Sequence, residues 1–161
     1  MKTIVLLLAS ALFMLHGCGT KSIATHYSYK TECMGSGLDG SQTLKTWGSG
    51  INAKEATEQA KKNAIRDVLF KGILDGKQEC NTKPLVLEVN AQKKHEAYFQ
   101  AFFADGGAYQ EYLSEAENKR FDIIPKDRMR SKDRVTQGLI VYVQLPELKR
   151  RLIQDGIIKE H

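Results

Sequence analysis

The chain has 161 residues, of which 42% are hydrophobic and 27% are charged, and its formal net charge is +5. These values fit one folded domain with a single core, and they exclude a disordered or low-complexity chain. A mildly basic balance suits an anionic surface such as phospholipid headgroups, lipopolysaccharide or peptidoglycan. It does not require nucleic acid, and we expect no nucleic-acid partner.

The chain opens on an apolar leader. Ile4–Leu15 follows Lys2 and holds about a dozen residues, whereas a membrane-spanning helix needs about 20. The leader therefore predicts a signal peptide over residues 1–17. Its end, LHGC at residues 15–18, resembles the lipobox of bacterial lipoproteins, although His16 stands where a small residue is usual.

The lipobox resemblance implies that Cys18 is lipidated and that the mature chain begins there. Acyl chains on Cys18 would then be the contact with the bilayer. No aspartate and no acidic cluster follows Cys18, so we expect the periplasmic side of the outer membrane rather than the inner membrane or the cell surface. The alternative is an ordinary secretory leader with a coincidental cysteine. Residues 18–25 read as a lipidated tether, and residues 26–161 as one domain.

Two further cysteines, Cys33 and Cys80, remain in the mature chain. Disulfides persist in exported proteins, and two cysteines allow one pairing. We therefore expect a disulfide between them, with two buried free thiols as the alternative.

The first part of the domain predicts two strands and a helix. Alternating residues predict a strand over His26–Met34, a glycine-rich turn, and a second strand over Gln42–Gly48. Asn52–Gly72 predicts a helix, with Asn52 as N-cap and Glu55 in the capping-box position. Its buried side is expected to carry small residues first and larger ones later: Ala53, Ala56, Ala60, Ala64, Ile65, Val68, Leu69 and Phe70.

The second part alternates shorter elements. The pattern predicts a strand over Leu85–Val89, a helix over Gln92–Ala104, a helical piece over Tyr109–Ala116 and a strand over Phe121–Ile124. The last elements are a strand over Val135–Leu145 and a helix that Pro146 opens and Gly156 ends. The order indicates an α+β fold: a mostly antiparallel sheet with an alanine-rich helix and two or three further helices packed on it.

One block of the sequence carries a family resemblance. It is Trp47-Gly48-Ser49-Gly50-Ile51-Asn52 followed by Ala53, Ala56, Ala60, Ala64 and Asp67. This block resembles the small outer-membrane lipoproteins related to the N-terminal domain of the flagellar-assembly protein FlgT. Those proteins also end in a hydrophobic strand that runs into a short helix, as residues 139–153 do here. The resemblance covers residues 27–73 and 135–155, and it implies a non-enzymatic domain of envelope assembly. A flagellar role does not transfer on fold kinship alone.

No catalytic or metal-binding pattern is found in the sequence. Gly35–Gly40 has the spacing G-x-G-x-x-G, but a strand pattern follows it instead of the helix that a dinucleotide site needs. The histidines that remain after cleavage stand far apart and lack zinc-ligand spacing. We therefore expect no enzyme, no catalytic residues, no cofactor and no metal.

Two groups of residues are candidates for binding. The aromatic residues Tyr98, Phe99, Phe102 and Phe103 predict either a partner patch or part of the core. A basic strip, defined as Arg128, Arg130, Lys132 and Arg134, would lie on one side of an extended strand and could contact anionic ligands. Its alternative is a solvated strand edge that deters aggregation.

The leading functional hypothesis is a lipoprotein that acts as an interaction or assembly module of the cell envelope. It implies an envelope protein as partner and leaves a homo-oligomer open. The second hypothesis is binding of anionic envelope components, such as peptidoglycan or lipopolysaccharide, through the basic strip. The third is a hydrolase, which no residue pattern supports.

Overall fold

The computed structural model describes residues 30–80, 83–115 and 134–160, together with the backbone of Arg128–Arg130. Within them the α+β class is confirmed. The predicted leader, the predicted lipidation site Cys18, the predicted tether and the predicted Phe121–Ile124 strand lie outside the described residues. So does the first part of the predicted His26–Met34 strand.

The sheet is mixed and mostly antiparallel. Its path is β3-β1-β2-β6-β4, and β5 also pairs with β6. Among the described strands, only the β1–β3 pair is parallel. The strands are β1 (Glu32–Ser36), β2 (Gln42–Gly50), β3 (Asp75–Gly76), β4 (Leu113–Glu115), β5 (Arg128–Arg130) and β6 (Val135–Val143).

Four α-helices and one 3₁₀ helix accompany the sheet in the described residues. None of these helices is long and apolar enough to cross a membrane. They are α1 (Ala53–Phe70), α2 (Ala91–Lys94), α3 (Glu96–Phe102), the 3₁₀ helix (Ala108–Tyr112) and α4 (Leu145–Gln154).

Helix α1 begins and ends close to the predicted bounds. The Asn52 side chain accepts a hydrogen bond from the Glu55 N–H at 2.9 Å, and the Glu55 carboxylate accepts one from the Ile51 N–H at 3.1 Å. These bonds satisfy donors that the first turn leaves open. At the other end Gly72 adopts φ +77°, where glycine carries no steric penalty, and its N–H bonds to the Asp67 carbonyl.

The glycines of β2 bring α1 very close to the sheet. A Cβ at Gly48 would overlap the backbone of Ala56 and Ala60, and one at Gly50 would crowd Glu55. Ala56, Ala60 and Ala64 are fully buried in return. The G-x-G and alanine pattern that suggested a family resemblance is therefore a close helix–sheet contact. Farther along, larger side chains fill the core: Leu44, Ile65, Leu69, Val141, Val143, Leu148 and Leu152.

The predicted strand over Leu85–Val89 is wrong. The N–H groups of Leu85 and Val86 donate instead to the carbonyls of Val68 and Leu69, at 3.1 and 2.9 Å. The last carbonyls of a helix need donors from outside it, and these two residues supply them. The segment therefore crosses the C-terminal end of α1.

The predicted helix over Gln92–Ala104 is two helices with a break at His95, whose φ and ψ (−111°, 37°) are not helical. In these helices Ala97 and Ala101 are exposed. Phe99 and Phe102 are buried, since aromatic rings gain more from leaving water than alanine methyls do.

The predicted helical piece over Tyr109–Ala116 is wrong in its second half. The 3₁₀ helix ends at Tyr112, and Leu113–Glu115 pairs with the end of β6 as β4. A free sheet edge beside these residues offers their backbone groups more partners than a continued helix would.

The last strand and helix are confirmed. Strand β6 ends two residues earlier than expected, and α4 begins at Leu145, so that Pro146 is its second residue. The expected disulfide is also present: Cys33 and Cys80 are bonded, with their Cα atoms 5.9 Å apart. It joins β1 to the segment that follows β3.

Candidate functional site

The basic strip is not one extended strand. Arg130 of β5 pairs with Val135 of β6 in antiparallel register, so the chain reverses between these residues. The predicted one-sided arrangement over residues 128–134 is therefore wrong, because a strand that continued to Arg134 could not also fold back at Arg130. Lys132 lies outside the described residues. Arg134 is exposed at the start of the return strand.

The aromatic group belongs to the core. Phe99, Phe102 and Phe103 are buried, and the Tyr98 hydroxyl donates to Asp155 at 2.8 Å. The prediction of an exposed partner patch is wrong for the three phenylalanines. Their rings pack on one another and on neighbouring rings edge-to-face or stacked, for example Phe70 against Phe99 at 5.0 Å between centroids.

An aromatic row also covers the side of α1 that faces away from the sheet. The Arg66 guanidinium lies 4.9 Å from the centre of the Phe103 ring, and the Lys62 ammonium lies 5.7 Å from that of Tyr109. Lys62 and Arg66 are four residues apart on α1, so they lie on the same side of the helix and each contacts one of these two rings. Two charged residues of α1, Lys62 and Arg66, therefore contact rings of the 99–109 region.

A polar cleft of about 700 Å³ opens at the start of α1. It lies between the first turns of α1, the loop at Asp105 and the start of β6. No single element builds it, so each wall comes from a different part of the chain. Its walls are Ser49, Gly50, Asn52, Lys54, Glu55, Glu58, Gln59, Lys62, Asp105, Gly106, Gln110 and Arg134.

The three carboxylates of the cleft already have donors. Glu55 accepts the capping bonds of α1, and Asp105 accepts from Lys62 at 2.7 Å. Glu58 accepts from the Tyr109 hydroxyl at 2.7 Å, as well as from Gln110 and Lys61. The negative charges of these three carboxylates are therefore compensated by donors within the protein.

Glu58 is the most connected of these groups. Partial burial opposes its ionisation, but the bonds from Tyr109, Lys61 and Gln110 outweigh burial and lower the pKa of Glu58. Burial likewise opposes the charge of Lys61, but bonds to Glu115 and Glu58 raise the pKa of Lys61. Both groups are charged at neutral pH, so the cluster links α1, the 3₁₀ helix and β4.

The two remaining cations of the cleft, Lys54 and Arg134, do not belong to this cluster of paired groups. Among the described residues, Lys54 and Arg134 form no ion pair and no side-chain hydrogen bond. Both side chains belong to exposed residues. Within the described residues, the cleft therefore combines satisfied carboxylates with two cations that have no acceptor from the protein. Such a set favours a carboxylate or phosphate, especially through the forked donors of arginine.

The described residues contain no group of three or more His, Cys, Asp or Glu side chains that could hold a metal ion. The expectation that the chain has no metal, cofactor or enzymatic activity stays a prediction.

Sequence reasoning found Arg134 but missed Lys54, Asp105 and Gln110 as its neighbours. These residues lie 24 to 80 positions from Arg134 along the chain, and no repeat or spacing links them.

Comparison of the chain with protein-family models, curated proteins and solved structures finds no match. The resemblance to FlgT-related lipoproteins stays a prediction.

Proposed function

We propose that the chain is a lipid-anchored domain of the outer membrane that faces the periplasm and acts as a non-enzymatic interaction or assembly module. The observation that carries this proposal is the short apolar leader ending in LHGC at residues 15–18. A leader of about a dozen apolar residues matches a signal-peptide core.

The disulfide supports export independently of the leader. Cys33 and Cys80 are bonded, and such bonds persist in the periplasm and outside the cell, whereas cytosolic thiols are kept reduced.

The proposed anchor is tested by membrane fractionation of the full chain and of Cys18→Ala. The unaltered protein should remain with membranes in high salt and leave them only with detergent, because acyl chains hold it. Cys18→Ala should lose this behaviour, while Cys80→Ser, which removes a different cysteine, should keep it. Retention of Cys18→Ala in the membrane pellet would contradict the anchor.

A second candidate function is the binding of anionic envelope components in the cleft. The observation in its favour is that Lys54 and Arg134 line one cleft without an ion-pair partner among the described residues, while the neighbouring carboxylates are all bonded. The side-chain carbonyl oxygens of Gln59 and Gln110 in the same walls can accept hydrogen bonds from the hydroxyl groups of a saccharide, while their NH₂ groups donate within the protein.

This second function is tested by co-sedimentation with purified peptidoglycan sacculi and by binding to lipopolysaccharide. Arg134→Glu should weaken binding about tenfold or more and reduce its salt dependence, because an ion pair becomes a repulsion. Lys77→Glu makes the same charge change at an exposed site outside the cleft, and it should have little effect. Equal binding by Arg134→Glu and Lys77→Glu would remove the cleft as the site.

A further inference from the structure

The charged side chains of the polar cleft are distributed unevenly along α1. The cleft walls contain three cations and three carboxylates, so their formal charges cancel. Two of the cations, Lys54 and Arg134, lie beside the first turn of α1. Two of the carboxylates, Glu58 and Asp105, lie one to two turns farther along the helix, where Asp105 is bonded to Lys62. The cleft is therefore neutral as a whole but has a positive end and a negative end.

The strand register places Arg134 at the positive end. Val135 pairs with Gly50, and a Cβ at Gly50 would crowd Glu55 in the first turn of α1. Arg134, which precedes Val135, therefore lies beside the turn that carries Lys54. Neither of these two exposed cations has an acceptor among the described residues. We call Lys54 and Arg134 the cationic end of the cleft.

The other end of the cleft has oxygen acceptors without donors. Lys62 donates to one oxygen of Asp105 at 2.7 Å, and in the described part of the chain the second oxygen accepts no hydrogen bond. The hydrogen bond and the positive charge of Lys62 lower the pKa of Asp105, so this carboxylate is charged at neutral pH. The side-chain carbonyl oxygens of Gln59 and Gln110 also lack donors within the described residues, since both amides bond through NH₂. We call Gln59, Asp105 and Gln110 the acceptor end.

The separation of the two ends matches the length of a short peptide. Lys54 and Lys62 are eight residues apart on α1, which is about 12 Å along the helix axis at 1.5 Å per residue. An extended peptide advances about 3.5 Å per residue, so the ammonium and the carboxylate of a tripeptide lie about 10 Å apart. The cleft volume of about 700 Å³ is in the range of small-ligand sites.

The charge pattern favours a zwitterion over a polyanion or a neutral saccharide. A polyanion would bring several negative charges close to the three carboxylates of the cleft, whereas a neutral saccharide would leave the cationic end without an anion. A zwitterion gives each end a partner. Its carboxylate accepts charge-assisted hydrogen bonds at the cationic end, and its ammonium donates its three hydrogens to the three oxygens of the acceptor end.

We propose that the cleft binds a peptide of about three residues with both termini free, its carboxylate at the cationic end and its ammonium at the acceptor end. This inference rests on the second function proposed above, for which it names the class of ligand. The same two charged groups occur on free peptides and on the peptide chains of peptidoglycan, and the experiment separates these two sources.

The test measures, by calorimetry of the full chain in mild detergent, the binding of trialanine, of its C-terminal amide and of its N-acetyl derivative. Trialanine should bind, and each blocked peptide should bind about tenfold more weakly, because each block removes one charged hydrogen-bonding group. Equal binding of the three peptides, or binding of none, would overturn the proposal. A preference against the amide alone would show a simple anion site, and would overturn it as well.

Two variants assign the termini of the peptide to the ends of the cleft. Arg134→Gln should weaken the binding of trialanine and no longer distinguish it from its amide. Asp105→Asn should weaken binding and no longer distinguish trialanine from its acetyl derivative. Both side chains are exposed, so neither change should unfold the domain. Glu111→Gln, which neutralises an exposed carboxylate outside the cleft walls, is the control and should bind like the unaltered protein. If both variants still distinguish the three peptides, the peptide binds elsewhere and the proposal fails.

Purified sacculi separate this inference from the function on which it rests. Displacement of the chain from sacculi by trialanine would assign the cleft to the peptides of peptidoglycan, and binding of trialanine without displacement would assign it to free peptides. If trialanine does not bind but Arg134→Glu loses its binding to sacculi, the anionic-ligand function stands and the peptide assignment is wrong. If trialanine does not bind and Arg134→Glu binds sacculi as well as Lys77→Glu does, both fail.

Discussion

The two ends of α1 satisfy their backbone groups in different ways. At the first turn the bonds are local, since Asn52 and Glu55 cap the helix with their own side chains. At the last turn remote bonds join the local bond from the Gly72 N–H to the Asp67 carbonyl, because Leu85 and Val86 arrive from another part of the chain. Local capping leaves room beside the helix, and the polar cleft occupies it. At the last turn, the bonds of Leu85 and Val86 fix the segment that crosses the end of α1. Leu87 and Val89, which follow these two residues, are exposed. The way in which each end of α1 is capped therefore decides which side chains are exposed there.

The largest expected effect comes from the covalent link between β1 and the segment that follows β3. Cys80→Ser should lower the free energy of unfolding by about 4 kcal/mol, since the bond to Cys33 closes a long loop of the unfolded chain. Urea unfolding measures this change. The unaltered protein in reductant should lose a similar amount. A loss below about 1 kcal/mol would show that the bonds of Leu85 and Val86 to α1 hold this part of the domain without the disulfide.

The next effect concerns the end of α1 near the cleft. Gly48→Ala should lower the free energy of unfolding by about 3 kcal/mol, because the new methyl group overlaps the backbone of Ala56 and Ala60. Ser49→Ala, on the opposite side of the same strand, should change it by no more than about 0.5 kcal/mol. Equal unfolding midpoints for the two variants would contradict the close contact.

A smaller effect separates the two kinds of capping. Asn52→Ala should destabilise the protein by about 1 kcal/mol, because the Glu55 N–H loses its acceptor. Hydrogen exchange should quicken in the first turn of α1 but not at the amides of Leu85 and Val86. Lys54→Ala, two residues farther along the chain, is the control because the Lys54 side chain makes no capping bond. Faster local exchange at both ends would mean that the caps are coupled.

The smallest effect depends on pH. The pKa of Glu58 is lowered from its ordinary value of 4.5, so its charge stabilises the fold above pH 4.5 and this contribution disappears as the pH falls through the lowered value. Glu58→Gln should therefore be less stable than the unaltered protein at pH 7, by less than about 1 kcal/mol. The difference should vanish in acid. A difference that is constant from pH 7 to pH 3 would contradict this explanation.

The sequence predicted the elements whose signals are local. Helix α1 carries its cap, its alanine spacing and its terminal glycine within about 20 residues, and β6 with α4 carries a long apolar alternation followed by a proline. The 83–90 segment could not be predicted, because its apolar run matches a strand while its N–H groups serve a distant helix. The cleft could not be predicted either, because Lys54, Asp105 and Arg134 meet only after three parts of the chain have packed together.

The proposed lipid anchor is the basis of the proposed function, and its most direct test is the intact mass of the protein extracted from membranes. A chain that starts at Cys18 and carries acyl groups on that residue is the expected result. A mass that includes Met1, or one that starts at Cys18 with an unmodified thiol and amine, would contradict the central claim.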